Sequence, residues 1–402
     1  MNGMFRRHKL LILIFSVFCL FSILSGKFHF FRKPDGPLSH ILPLTKEQLH
    51  QAHLSAHNAF IAYETQLSSD ADNQPSLLCH TIIMRGDDTL LRKNIALAGG
   101  QCHWAVTWLI RKNEKLSHAN DLASYCREQQ SHLAFEQDFV SQHKFFNKVF
   151  VWKTLLPILT KYSHIWLLDS DISFKPPANI SLFFEAWRCG SSAKFPPIIS
   201  QPTIINREGE SQSVQFLNHK ENLLRLGISS IKTEHCEIQA PIVASAFMSW
   251  LLRELIEPYI ADEREFSLND WGIDFMWCKA ADFFQSSGHH SLLDGPDRPS
   301  VSCALIPQPV VHFSTDTIRR VNTFLDSGEI MLQIYKKRFP TMYKLERQQS
   351  DFNIFLSNLT EADLRSPQSS RETHSSYCAD KHVETYVFNP GKYEVSRLRS
   401  GQ

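Results

Sequence analysis

With 402 residues, 43% of them hydrophobic and 21% charged, the chain is ordinary globular material, large enough for one big α/β domain with appendages. Its formal net charge of +1, with no basic stripe interleaved with aromatics, gives no reason to expect a nucleic acid as partner. Any anionic ligand has to be met by local charge.

Leu10 to Leu24 is a run without charges, preceded by Arg6, Arg7 and Lys9 and followed by Ser25-Gly26-Lys27. It is a membrane-targeting segment, for which an uncleaved signal anchor is favoured over a cleaved signal peptide because Phe28, Phe30 and Phe31 prolong the apolar stretch. The basic start would face the cytoplasm and the bulk of the chain the lumen of the Golgi or endoplasmic reticulum, a single-pass type II arrangement; Lys27, Arg32 and Lys33 balance the charges on the other side, so this orientation draws little from charge asymmetry. Of nine cysteines, Cys19 lies within the segment, which leaves eight for an oxidising compartment. Eight cysteines allow 105 connectivities, so spacing assigns no pairing, and the lack of a C-x-x-C argues against zinc. Asn179-Ile180-Ser181 and Asn358-Leu359-Thr360 are N-glycosylation triplets.

Pro34, Pro37 and Pro43 suit an extended linker, after which Thr45 and Gln48 form a capping box. Leu49, Ala52, Ala56, Phe60, Tyr63 and Leu67 follow at helical spacing. This stripe is expected to pack on its own domain, with a homodimer through the helix as the alternative. The polar break at 68–76 is where a boundary is placed, giving an anchor over 1–27, a stem over 28–76, a catalytic domain over 77–325 and a peripheral extension over 326–402.

Strands and helices then alternate, which predicts an α/β fold with a mainly parallel, Rossmann-like sheet. Strands are expected at Leu77–Met84 and Trp104–Ile110, and helices at Leu90–Ala98, Ala119–Gln130 and across Phe145, Val149, Trp152, Leu156 and Leu159. Arg85 and Asp87, in the turn after the first strand, would lie near a nucleotide in such a layout, or simply in a solvated turn. His164-Ile165-Trp166-Leu167-Leu168-Asp169-Ser170-Asp171 reads as a buried strand with an acidic exit. Ligands bind beyond the carboxyl ends of such strands, and a Mg²⁺ or Mn²⁺ ion favours one or two carboxylates plus substrate phosphates. Asp169 and Asp171 fit that role, although an Asp-rich turn has the same composition.

A further strand is expected at Cys236–Ala240, with Glu237 and Gln239 on one face as a buried polar pair or as holders of substrate hydroxyls. Phe247–Ile256 and Phe275–Ala281 read as helices, with Asp274 in the first turns of the second as a dipole-stabilised acid or a general base. Ala304–Val311 is a short strand ending in His312, a structural histidine or a third metal ligand.

The acidic strand, Ser200-Gln201-Pro202, Glu237-Ile238-Gln239-Ala240-Pro241, Trp271-Gly272-Ile273-Asp274 and Val310-Val311-His312 together resemble, in type and order, the domain of unknown function 707 family. That family is similar to glycosyltransferases of the GT-A type, and the resemblance spans residues 77–315. It implies a metal-dependent transferase that moves a sugar from a nucleoside-diphosphate donor to a glycan or glycoconjugate hydroxyl. By the same resemblance Asp169, Asp171 and His312 hold the metal, and Asp274, or else Glu237, is the base of an inverting reaction. Two rivals stay open: a haloacid-dehalogenase-like phosphatase with Asp169 as nucleophile, and a non-catalytic lumenal binding or scaffold protein on the same fold.

Overall fold

The computed structural model describes residues 45–69, 77–84, 88–110, 122–140, 148–174, 197–205, 228–232, 236–256, 273–274, 276–289, 302–313, 384–389 and 394–397. All of these belong to one compact unit, Pro43–Gln402. The anchor segment Leu10–Leu24 lies outside the described residues, among which no helix is long and apolar enough to cross a membrane.

Helix α1 spans Lys46–Ser69. Its start is the expected capping box: the Thr45 amide donates to Gln48 Oε1 at 2.9 Å and the Gln48 amide to Thr45 Oγ1 at 3.1 Å, satisfying two amides that the first turn leaves over. Strand β1 is Leu77–Met84, followed by α2 (Thr89–Ala98), β2 (His103–Ile110), α3 (Leu122–Glu128) and β3 (His132–Val140). Two short helices, α4 (Lys148–Thr154) and α5 (Leu156–Leu159), lead into β4 (His164–Asp169), with β5 (Ile172–Phe174) directly behind it. Then come β6 (Ile199–Ile205), β7 (Ile228–Lys232), β8 (Ile242–Ala244), α6 (Ser245–Trp250) with a π-helical turn over Leu251–Ile256, α7 (Trp277–His289) and β9 (Cys303–His312). Strands β10 (Glu384–Asn389) and β11 (Glu394–Arg397) close the described chain.

These strands form one sheet in the order β11-β10-β7-β9-β6-β8-β4-β1-β2-β3, with β5 pairing β9 off that path. The long ladders are parallel, those of β1 with β2, β2 with β3, β1 with β4, and β6 with β9. The antiparallel pairings are short and lie beyond β4. The architecture is therefore α/β with a curled, mostly parallel sheet, compatible with a Rossmann-like fold. β1, β2 and β4 are apolar almost throughout because helices cover both faces of a parallel sheet. The chain winds outward through β1, β2 and β3, then returns past β1 to place β4 on its other side. That reversal is a topological switch point, and the acidic end of β4 lies on it.

Several elements differ from the pattern expectations, among them two that bear on the sheet around the acidic strand. β3 was not predicted: it is an edge strand whose exposure alternates, and Glu136, Gln137 and Asp138 hide it from an apolar-run reading. Cys236–Ala240 is not a strand. The Asp169 and Leu167 amides donate to the Gln239 and Pro241 carbonyls at 3.0 and 2.9 Å, but Pro241 has no N–H to return, and a regular ladder begins only at Ile242. Within 326–402, β10 and β11 form an antiparallel pair at the outer sheet edge, beyond β7.

The α1 stripe is buried through Ala52, Ala56, Phe60 and Tyr63. It packs on the chain's own α6 and α7: the Phe60 and Phe284 rings meet edge to face at 5.6 Å, and His53 Nδ1 lies 3.0 Å from Ser287 Oγ. Tyr63 reaches further, its hydroxyl 3.3 Å from His164 Nε2 at the start of β4. The helix thus packs with the sheet and its covering helices. Two disulfides brace the same body: Cys79–Cys102 joins β1 to the residue before β2, and Cys278–Cys303 joins α7 to the start of β9. With sequence separations of 23 and 25 residues, each is worth about 3 kcal/mol in loop-closure entropy. Cys126 and Cys236 are buried thiols, and burial pushes both upward in pKa.

Two buried histidines sit in the central strands. Burial holds His80 down to about 3 and His164 well below the usual imidazole range, so both are neutral in the fold. In the unfolded chain each would take up a proton below about pH 6.5. Unfolding therefore binds more protons, and stability must fall with acidity below pH 6.5, by about 1.4 kcal/mol per pH unit for each histidine that stays neutral. The Tm is expected to drop steeply between pH 6.5 and 5, and replacing His80 by Gln should flatten that slope. A pH-independent Tm across this window would contradict it.

Candidate functional site

A cleft of about 230 Å³ opens at the carboxyl ends of β1, β2 and β4. Its floor is Ile82 and Met84 of β1, Leu109 of β2 and Leu167 and Leu168 of β4; its polar rim is Lys148, Asp169, Ser170 and Asp171. His80 of β1, Trp152, one helical turn after Lys148, and Ile238 complete the wall. Both predicted acids are therefore at one mouth.

The turn at Ser170–Asp171 sends the chain into β5, and Asn94 of α2 fixes where β5 lies. This buried side chain donates through Nδ2 to the Ile172 carbonyl at 2.8 Å and accepts the Phe174 amide on Oδ1 at 3.0 Å. β5 then pairs antiparallel with the end of β9, Ile172 opposite His312, and the Phe313 amide donates to the Asp171 carbonyl at 2.8 Å. The consequence is chemical. His312 Nε2 comes to 3.1 Å from Asp171 Oδ2, with the histidine 7% and the aspartate 31% exposed.

Each member of that pair holds the other's charge. Burial pushes the Asp171 carboxyl up, but the His312 hydrogen bond and charge, its own backbone and Lys148 outweigh this and leave it below the usual range. Burial pushes His312 down, and the Asp171 hydrogen bond and charge, with Asp169 and Glu237 behind them, leave it above. Asp169 has a different partner: Lys148 Nζ lies 2.5 Å from Asp169 Oδ1, both side chains about a fifth to a quarter exposed. Lys148 is the site residue that pattern reasoning missed. Its only sequence signal is its spacing of four from Trp152 on the helix that precedes the acidic strand.

The Glu237–Pro241 segment runs beside β4. Gln201 anchors it, Oε1 accepting the Glu237 amide at 2.6 Å, and the Cys236 carbonyl accepts Trp277 Nε1 at 2.7 Å. Glu237 is 5% exposed and its charge reaches His312. Among the described residues, Gln201 Nε2 and Gln239 Oε1 are buried polar atoms without a protein partner. Such atoms cost about 1–3 kcal/mol each unless a water or a ligand group meets them. Asp274 is buried at 7% exposure in the turn opening α7, where the Ile273 carbonyl takes the Met276 and Trp277 amides. The acids whose charge reaches His312 are Asp171, Asp169 and Glu237. Arg85 and Asp87 lie outside the described residues.

Asp169, Asp171 and His312 offer carboxylate oxygens and an imidazole nitrogen, a donor set that suits Mg²⁺ or Mn²⁺. As they stand, the carboxylates are held in two separate ion pairs. Among the described residues, the trio of ligand atoms lying within 4.8 Å of one another is Cys236, Cys278 and Cys303, two of which form a disulfide.

No family model and no curated protein matches the sequence. Two solved structures show a distant likeness. A mycobacterial protein has a TM-score of 0.31 at 10% identity, covering 83% of this chain and 86% of its own. A protein from Desulfovibrio desulfuricans G20, inferred to be a nucleotide-diphospho-sugar transferase, has a TM-score of 0.24 at 9% identity, covering 64% of this chain and 97% of its own.

Proposed function

We propose that this protein is a metal-dependent glycosyltransferase that moves a sugar from a nucleoside-diphosphate donor to a glycan or glycoconjugate hydroxyl. The observation that carries the reading is the acidic exit of β4 at the switch point, with His312 delivered to Asp171 by the β5–β9 pairing. Asp169, Asp171 and His312 would hold Mn²⁺ or Mg²⁺, which supplies positive charge for the diphosphate as the glycosidic bond breaks. The chain's own residues do the rest. Leu109, Trp152 and Ile238 keep water from the wall of the cleft. A buried acid beside the cleft would take the acceptor proton if the reaction inverts configuration. Asp274 in its helix turn and Glu237, whose charge reaches His312, are the two candidates for that task.

The test is titration of the full-length, detergent-extracted protein with Mn²⁺ and a panel of nucleoside diphosphates, followed by cleavage assays with the matching nucleotide sugars. Binding that needs both ligands supports the reading; binding of neither rejects it. Phosphate release with a trapped aspartyl-phosphate on Asp169 would turn it into a phosphatase.

The same proposal places residues 1–9 in the cytoplasm and the bulk after residue 27 in the lumen, which the two disulfides support. In intact microsomes that bulk is expected to resist added protease. Its digestion without detergent would overturn the topology.

A further inference from the structure

The ammonium of Lys148 sits on Asp169 Oδ1, one of the two carboxylates that the proposed function gives to the metal. A lysine and a divalent cation cannot both neutralise one carboxylate oxygen at contact without repelling each other at close range. Movement of one of them relieves that repulsion, and Lys148 can move. It is a compact charge on a flexible four-carbon stem with three donors. It emerges from the first residue of α4, and its side chain is 21% exposed at the mouth of the cleft. Behind it the helix is held still: Gln137 of β3 donates to Thr154 Oγ1 and to Thr107 Oγ1 of β2, and Trp152 is buried. The stem can swing while its root stays fixed.

We propose that Lys148 and the divalent cation compete for Asp169, and that Lys148, once displaced, binds the diphosphate of the donor. This deepens the glycosyltransferase reading and rests on it. The geometry supports the pairing of events. Lys148 already meets Asp169, so a divalent cation arriving alone must displace an ammonium before it gains that carboxylate. A diphosphate arriving with the cation gives the displaced ammonium an anionic partner. Metal and nucleotide then bind cooperatively, each weak without the other.

Lys148→Met keeps the length of the side chain and removes its charge. It is expected to tighten Mn²⁺ alone by about tenfold, since a competitor is gone, and to weaken the nucleoside diphosphate at saturating Mn²⁺ by roughly 10–100-fold, since a charged donor is gone. Lys148→Arg should restore the nucleotide affinity. Calorimetry with Mn²⁺ alone, then with UDP or GDP at saturating Mn²⁺, reads both effects. A folded Lys148→Met protein with unchanged or weaker Mn²⁺ affinity, or with wild-type nucleotide affinity, overturns the proposal. Should Lys148→Met fail to fold, acylation of lysines in the wild-type protein, read by mass spectrometry, decides. Mn²⁺ alone should speed modification of Lys148 and the added nucleotide should suppress it; indifference to both overturns the proposal. Wild-type protein that binds neither Mn²⁺ nor any nucleoside diphosphate removes the glycosyltransferase reading itself, and Lys148 with it.

Discussion

Asp169→Asn and Asp171→Asn are each expected to abolish metal-dependent nucleoside diphosphate binding while leaving the protein folded. Each substitution keeps the shape of the side chain and removes one of two negative charges at the mouth of the cleft. A charge-assisted contact of this kind is worth about 3 kcal/mol, so affinity should fall by roughly 10²-fold or more. The folded state should tolerate the change, because both carboxylates are partly exposed and an ion pair so placed contributes about 1 kcal/mol or less. The two variants also leave different traces. Asp169→Asn removes the charge that Lys148 meets, whereas Asp171→Asn takes away the hydrogen bond and charge that hold His312 above its ordinary pKa. The His312 imidazole, followed by NMR, should therefore titrate lower in Asp171→Asn, and far less change is expected in Asp169→Asn. Calorimetry and thermal melting on the same samples check the main forecast. Wild-type nucleotide affinity in both folded variants would remove the metal assignment.

The second large effect is expected at Glu237. If this carboxylate takes the proton from the acceptor hydroxyl, Glu237→Gln should lose about 10²–10⁴-fold in turnover with little change in Mn²⁺ or nucleotide affinity. The glutamine preserves the shape of the side chain, and the backbone amide at 237 stays on Gln201 Oε1. Asp274→Asn is the companion variant. Asp274 is buried at the opening of α7, and an acid that only stabilises a helix start contributes roughly 0.5–2 kcal/mol. Asp274→Asn is then expected to lower the Tm by a few degrees and leave turnover nearly intact at permissive temperature. A Glu237→Gln enzyme with wild-type turnover, beside an inactive but folded Asp274→Asn, would reverse the two roles. Wild-type turnover in both would point to a retaining reaction that needs no such base.

Much of this molecule is written locally. The capping box at Thr45 and Gln48, the β1 limits at Leu77 and Met84, the apolar run into Asp169 and the strand ending at His312 depend on neighbours a few residues away, and periodicity, propensity and cap chemistry report such neighbours directly. The same local signal failed where the environment was unusual. β3 is a polar-faced edge that never needed an apolar run, and at Cys236–Ala240 a proline leaves the ladder one-sided. What only the tertiary structure decided is who meets whom across the chain. Asp171 and His312 are brought together because Asn94 clips β5 in place and the curled sheet carries β9 back to it. Lys148 reaches Asp169 because the chain re-enters the sheet on the far side of β1, and Gln201 reaches Glu237 because β6 lies next to β8. A sequence pattern fixes which face of an element is apolar, but such meetings depend on strand order and side-chain packing summed over the whole sheet, which no local window contains.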